Sequence, residues 1–223
     1  MKRGLKHLSL IVIMMVLAVA MLSSCGPKKP EPGEAQAYVK AVIDLMCTGD
    51  YDHSVELADI EEGKESETRD ALIDQMVKEF SSEAKLSDEV TDSFKAFMVQ
   101  ALEKTKYTIG EAAATEDGGY DVTVSIEPLQ IFTGIDKELE KALEDKVASE
   151  PDKIMAMSEE EQTNYVMGMV LELLNKRLEK PKYDPAEEVV VHYGPMEGQK
   201  NVYGCEESEG EKLGAKLFST KGL

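Results

Sequence analysis

Apolar residues recur at intervals of three and four along much of this chain, the spacing that places them on one face of an α-helix. Gly49 follows the first such stretch and Pro151 follows a later one, so both mark helix ends. Ser158 and Glu161 have the spacing of a capping box at the start of the last stretch. The pattern predicts helices over 35–46, 72–80, 90–102, 135–147 and 159–178, with a short one over 50–58.

In other stretches the apolar residues alternate with polar ones, which is the period of a half-buried β-strand. The clearest case is Tyr120 to Glu127, where Val122, Val124 and Ile126 share one face. A strand over 107–113 precedes it, joined by the turn residues Asp117-Gly118-Gly119. Further strands are predicted over 188–193 and 200–206, followed by a short terminal element over 213–218.

The order of these elements predicts an α+β fold. Helices come first, then a hairpin, then two inserted helices over about 133–180, and then more strands. We therefore expect helices packed on one face of a curved antiparallel sheet of about four strands. Residues 35–223 are long enough to form one domain with a substantial core, and we interpret them as a single domain.

The first 25 residues have a different pattern, typical of an exported protein. Three cations, Lys2, Arg3 and Lys6, precede an apolar run over 8–21, which is too short to span a bilayer comfortably. The following Leu22-Ser23-Ser24-Cys25 resembles the lipobox of bacterial lipoproteins. The resemblance implies that 1–24 is a signal peptide and that Cys25 receives a diacylglyceryl group. An uncleaved membrane helix and ordinary secretion are the alternatives.

The proline-rich residues 25–34 favour an extended chain, so we expect a tether between the lipidated cysteine and the domain. Two acyl chains hold a protein on a membrane stably. The predicted location is the extracytoplasmic face of the cell membrane.

Charge excludes one large class of function. The formal charge of −19 becomes about −22 when the three cations of the signal peptide are removed. Such an acidic chain repels nucleic acid, so we expect no nucleic-acid partner. The acidic runs lack the ligand spacing of a calcium loop, and no metal or cofactor is predicted.

The cysteine count leaves Cys47 and Cys205 as an even pair once Cys25 is assigned to lipid. In an exported protein such a pair can form a disulfide. The alternative is two buried free thiols, which are common in protein cores.

Two regions resemble a known group of domains. Thr48-Gly-Asp-Tyr-Asp-His-Ser-Val-Glu-Leu57 closes the first helix, and Lys106–Ala112 with Gly119–Pro128 suits the first hairpin of the sheet. These stretches are similar to nuclear transport factor 2-like (cystatin-like) domains, which occur in many lipoproteins of Gram-positive bacteria. The resemblance implies a fold and a location, because members of this group serve unrelated functions.

The sequence contains no strong catalytic motif. His53 lies near acidic residues in a turn, and His192 is the weak catalytic candidate, because enzymes of that group use a His or Asp inside a cone-shaped cavity. Asp121 or Glu127 is the carboxylate expected beside His192. We expect a non-catalytic module that binds an unknown ligand or envelope protein. The alternative is an enzyme that uses His192 in the cavity.

Overall fold

The computed structural model describes residues 24–25, 30–50, 63–196 and 202–221. Most of the signal peptide, most of the helix predicted over 50–58, and His53 lie outside the described residues. The helices are α1 Pro32–Ile43, α2 Glu65–Ala84, α3 Asp88–Leu102, α4 Ile135–Ser149, α5 Pro151–Ala156, α6 Glu159–Leu178 and α7 Glu207–Leu217. The strands are β1 Ser24–Cys25, β2 Lys106–Ala114, β3 Tyr120–Glu127, β4 Glu187–Pro195 and β5 Val202–Gly204.

The fold is α+β, as the order of elements predicts. The strands form one open antiparallel sheet in the order β1-β5-β4-β3-β2. Helix α1 packs against β2, β3 and β4, and α2, α3 and α6 extend the helical layer. Helix α7 lies against β4, next to the three-residue strand β5.

The core lies between the sheet and the helices. Val122 and Val124 of β3 are fully buried, because the alternation of β3 turns every second side chain inward. Tyr38 of α1 and Phe97 and Leu102 of α3 pack into the same buried cluster. Each buried side chain of this size contributes roughly 1.5–3 kcal/mol to folding. This packing fixes the face of the sheet that α1 covers.

The prediction that residues 25–34 form an extended tether is wrong for residues 32–34, which are helical. Helix α1 begins at Pro32, and Glu31 and Glu34 form a capping box there. A proline suits the first helical position, since its fixed φ is already helical and its missing N–H would have no helical partner. Pro30 is buried, and its carbonyl accepts a hydrogen bond from the hydroxyl of Tyr120 at 3.1 Å.

The insertion contains three helices, where two were predicted. The capping box of Ser158 and Glu161 is confirmed at the start of α6. Pro151 ends the predicted helix but also begins the short helix α5, again at the first helical position. The terminal segment forms the helix α7 rather than a short element over 213–218.

Candidate functional site

His192 lies on β4, directly opposite Asp121 of β3. Its backbone N–H donates to the carboxylate of Glu209 on α7 at 3.1 Å, on the side away from β3. Asp121 and His192 therefore form a non-hydrogen-bonded pair of the antiparallel ladder, in which opposite side chains come closest. The register of β3 against β4 therefore places the imidazole of His192 beside the carboxylate of Asp121.

Both ring nitrogens of His192 contact carboxylate oxygens. Nδ1 lies 2.8 Å from Oδ1 of Asp121, and Nε2 lies 3.0 Å from Oδ2 of Asp117. Asp117 is in the β2–β3 turn, where it also accepts hydrogen bonds from the hydroxyl of Thr115 and from the N–H of Gly119. We call His192, Asp117 and Asp121 the histidine clamp.

The carboxylates of the clamp favour the protonated ring. Partial burial acts to lower the pKa of His192, but the hydrogen bonds and charges of Asp121 and Asp117 outweigh it, and the pKa is raised. The hydrogen bonds from Thr115 and Gly119, assisted by His192, lower the pKa of Asp117 to about 2. The clamp therefore holds its imidazole protonated up to a higher pH than a free histidine.

Two glycines allow the turn to come this close to β4. A Cβ on Gly119 would lie 2.5 Å from the carbonyl oxygen of Tyr193 and 2.8 Å from the Cα of Gly194. A Cβ on Gly194 would collide with the ring of His192 and lie 3.0 Å from Oδ2 of Asp117. Side chains at these positions would push the turn away from β4.

This geometry does not suit His192 to act as a general base. A base needs a free nitrogen lone pair within reach of the substrate proton, and here both nitrogens already lie within hydrogen-bond distance of a carboxylate oxygen. Of the two carboxylates expected beside His192, Asp121 is in place. Glu127 lies six residues further along β3, about 20 Å away. The structure thus brings His192 and Asp121 together and adds Asp117, which forms a clamp that joins three segments.

A groove of about 460 Å³ lies at the opposite end of the sheet. Several hydroxyl groups and one pair of opposite charges line it. The lining residues are Thr48, Thr105, Lys106, Tyr107, Thr108, Ser125, Glu127 and Ala186. The sequence did not predict this groove, because its walls come from four separated segments.

The charged pair in the groove is loosely held. Nζ of Lys106 lies 3.8 Å from the carboxylate of Glu127 and 4.0 Å from the centre of the Tyr183 ring. Both charged side chains are about half exposed. Beside them, the hydroxyls of Thr108 and Ser125 have no hydrogen-bond partner among the described residues. These four side chains can contact a polar ligand without breaking a buried contact.

The wall of the groove is braced by Asp44, which is buried at the start of a π-helical turn, Asp44–Thr48. Its carboxylate accepts hydrogen bonds from Nζ of Lys40 and from the hydroxyl of Tyr107, and lies 3.3 Å from the hydroxyl of Thr48. Burial, followed by the contact with Asp44, raises the pKa of Tyr107. Turns of this type are frequent at functional sites.

Cys47 and Cys205 are free, buried thiols in this structure, in place of a disulfide. Cys47 lies next to Thr105, while Cys205 lies beside the Tyr38 ring. Burial also raises the pKa of Cys47 to about 12, so this thiol is unreactive.

Residue 25 lies at the opposite edge of the sheet from β2. The backbone of Ser24–Cys25 pairs with Val202 and Tyr203 of β5. In the described parts of the chain, no helix has both the length and the apolar character needed to cross a bilayer. Over the same residues, no group of three His, Cys, Asp or Glu side chains is arranged to hold a metal ion.

Comparisons with known proteins bear on the fold. No protein-family model matches this chain, and no curated protein matches it either. The structure is similar to a crystal structure of YcdA from Bacillus subtilis, which is provisionally described as a lipoprotein. The TM-score is 0.53 at 17% sequence identity, and the match covers 84% of this chain and 56% of YcdA. The chain thus shares a fold with just over half of that protein.

Proposed function

We propose that this chain is an extracytoplasmic lipoprotein, anchored to the cell membrane through Cys25, whose domain is a non-catalytic binding module. The observation that carries the proposal is the order of cations, apolar run, small residues and Cys25 in the first 25 residues. The fold similarity to YcdA supports it. Membership of the nuclear transport factor 2-like group, and an origin in Gram-positive bacteria, are parts of the same proposal.

The start of the folded region supports a short tether. Pro30 is held by Tyr120, so only the four residues 26–29 lie between it and Cys25. Fully extended, the span from Cys25 to Pro30 reaches at most about 18 Å. Tyr120 lies at the end of β3 that is remote from Glu127, and Glu127 lines the groove. In this arrangement the groove is at the membrane-distal end of the sheet, accessible from the envelope.

We predict that the Cys25→Ala variant is released from the membrane fraction of its native host, because it has no thiol to receive the diacylglyceryl group. The matched control is Ser24→Ala, which keeps a small residue before the cysteine and is expected to stay in the membrane fraction. Fractionation followed by immunoblotting measures both. Equal partitioning of wild type and Cys25→Ala would contradict lipid anchoring.

The groove is the proposed ligand site, because it combines two available hydroxyls with a loosely paired lysine and glutamate. We predict that binders from a library of amino acids, sugars and short peptides shift the amide signals of Thr108 and Ser125 in NMR spectra. Glu127→Gln should weaken such binding at least fivefold. Glu144→Gln, on the exposed part of α4, is the control and should leave it unchanged.

The groove would not be the ligand site if only signals around His192 shifted. The same would follow if Glu127→Gln left binding unchanged. Turnover of a library compound that depends on His192 would favour the alternative, an enzyme. The clamp geometry argues against that outcome, since both nitrogens of His192 already contact carboxylate oxygens.

A further inference from the structure

The histidine clamp has a geometry that only one protonation state of His192 satisfies. An ionised carboxylate accepts hydrogen bonds but cannot donate them. Each ring nitrogen must therefore carry a hydrogen when one carboxylate lies 2.8 Å from Nδ1 and another 3.0 Å from Nε2. A neutral imidazole has a single N–H. After deprotonation, one of the two contacts sets a nitrogen lone pair against a carboxylate oxygen.

The two contacts differ in how firmly their carboxylates are held. Asp121 lies in the central strand β3, opposite Ala113 of β2 and His192 of β4. Asp117 lies in a turn, and its other hydrogen bonds, to Thr115 and Gly119, stay within that turn. Loss of the proton therefore keeps the contact with Asp121 and breaks the contact with Asp117.

The other charged groups around His192 do not duplicate this contact. Glu209 of α7 accepts a hydrogen bond from the backbone N–H of His192 rather than from its ring. Lys212 pairs with Glu209 on the same helix. The ring of His192 is thus linked to the turn through Asp117, while its backbone is linked to α7 through Glu209.

We propose that the histidine clamp is a pH-operated latch, which holds the turn over 115–119 against β4 while His192 is protonated and releases it when the proton is lost. In the closed position of the latch, the turn lies as close to β4 as Gly119 and Gly194 allow. Opening moves the turn away from the end of β4, at the tethered end of the sheet. The latch is independent of the groove, so either can fail without the other.

The direction of the pH effect follows from the raised pKa of His192. A group whose pKa is raised on folding stabilises the folded state fully below its unfolded pKa, about 6.5 for histidine. That stabilisation is lost as the pH rises through the higher, folded pKa. The latch is therefore closed in mildly acidic surroundings and opens as they become alkaline.

The test is an NMR titration of the full chain in detergent micelles, with the signals of His192 distinguished from those of the other two histidines by the variants His7→Gln and His53→Gln. We expect the pKa of His192 to lie above 6.5 and to fall by at least half a unit in Asp117→Asn. Glu116→Gln, in the same exposed turn, is the control and should change it by less. The nuclear Overhauser effect between the His192 ring and Gly119 should weaken at least threefold as the ring deprotonates.

A His192 pKa at or below 6.5 would overturn the latch, and so would a constant Overhauser effect across the titration. The wild-type titration tests the latch even if Asp117→Asn does not fold.

Discussion

Gly119→Ala is expected to lower the free energy of unfolding by about 3 kcal/mol, the upper part of the usual range for forcing an extra methyl group into a packed site. The new Cβ would meet the carbonyl oxygen of Tyr193 and the Cα of Gly194. Both are backbone atoms, so no side chain can rotate to make room. Urea titration followed by circular dichroism, on the full chain in detergent micelles, measures the change.

Gly168→Ala is the matched control for this substitution. Gly168 lies inside α6, and a Cβ there has nothing within 4 Å. Alanine is a better helix former than glycine, so this variant should gain roughly 0.5–1 kcal/mol. If Gly119→Ala were as stable as wild type, the close approach of the turn to β4 would be wrong.

Asp44→Ala is expected to cost about 3 kcal/mol of unfolding free energy, because it removes the acceptor that Lys40, Tyr107 and Thr48 share. A partly buried hydroxyl left without its acceptor costs roughly 1–3 kcal/mol. Lys40 is about half exposed, so water can solvate its ammonium group and its share of the loss is small. The same urea titration measures the effect.

Asp44→Asn separates the charge of this residue from its hydrogen bonds. The amide oxygen can still accept from Tyr107, so the cost should be less than half that of the alanine variant. Ligand binding in the groove should weaken with Asp44→Ala as well, because Tyr107 and Thr48 line it. An alanine variant with wild-type stability would show that Asp44 does not brace the groove.

Much of the fold could be predicted from local patterns. Strand β3 forms as its alternation indicates, and the capping box of Ser158 and Glu161 begins α6. The predicted elements that differ from the structure also have local causes. The prolines of 25–34 favour an extended chain and Pro151 marks a helix end, yet Pro32 and Pro151 each occupy the first turn of a helix. In the terminal segment, Leu213 and Leu217 have helical spacing, but the pattern over 213–218 predicts only a short element where the helix Glu207–Leu217 forms.

The candidate site was less predictable, because it depends on contacts between distant segments. The resemblance to nuclear transport factor 2-like domains points to His192, with Asp121 as one of the two carboxylates expected beside it. The choice between Asp121 and Glu127 depends on the register of β3 against β4, and the insertion separates these strands in the chain. Its local pattern marks Asp117 only as a turn residue. The residues that line the groove share no sequence pattern, because they come from separated segments.

Intact mass spectrometry of the protein extracted from its native membranes tests the central claim, that Cys25 carries the anchor. We expect a chain that begins at residue 25, with a mass increment of at least one diacylglyceryl group, and with fragment ions that place the increment on Cys25. A chain that keeps residues 1–24, or one with an unmodified Cys25, would contradict it.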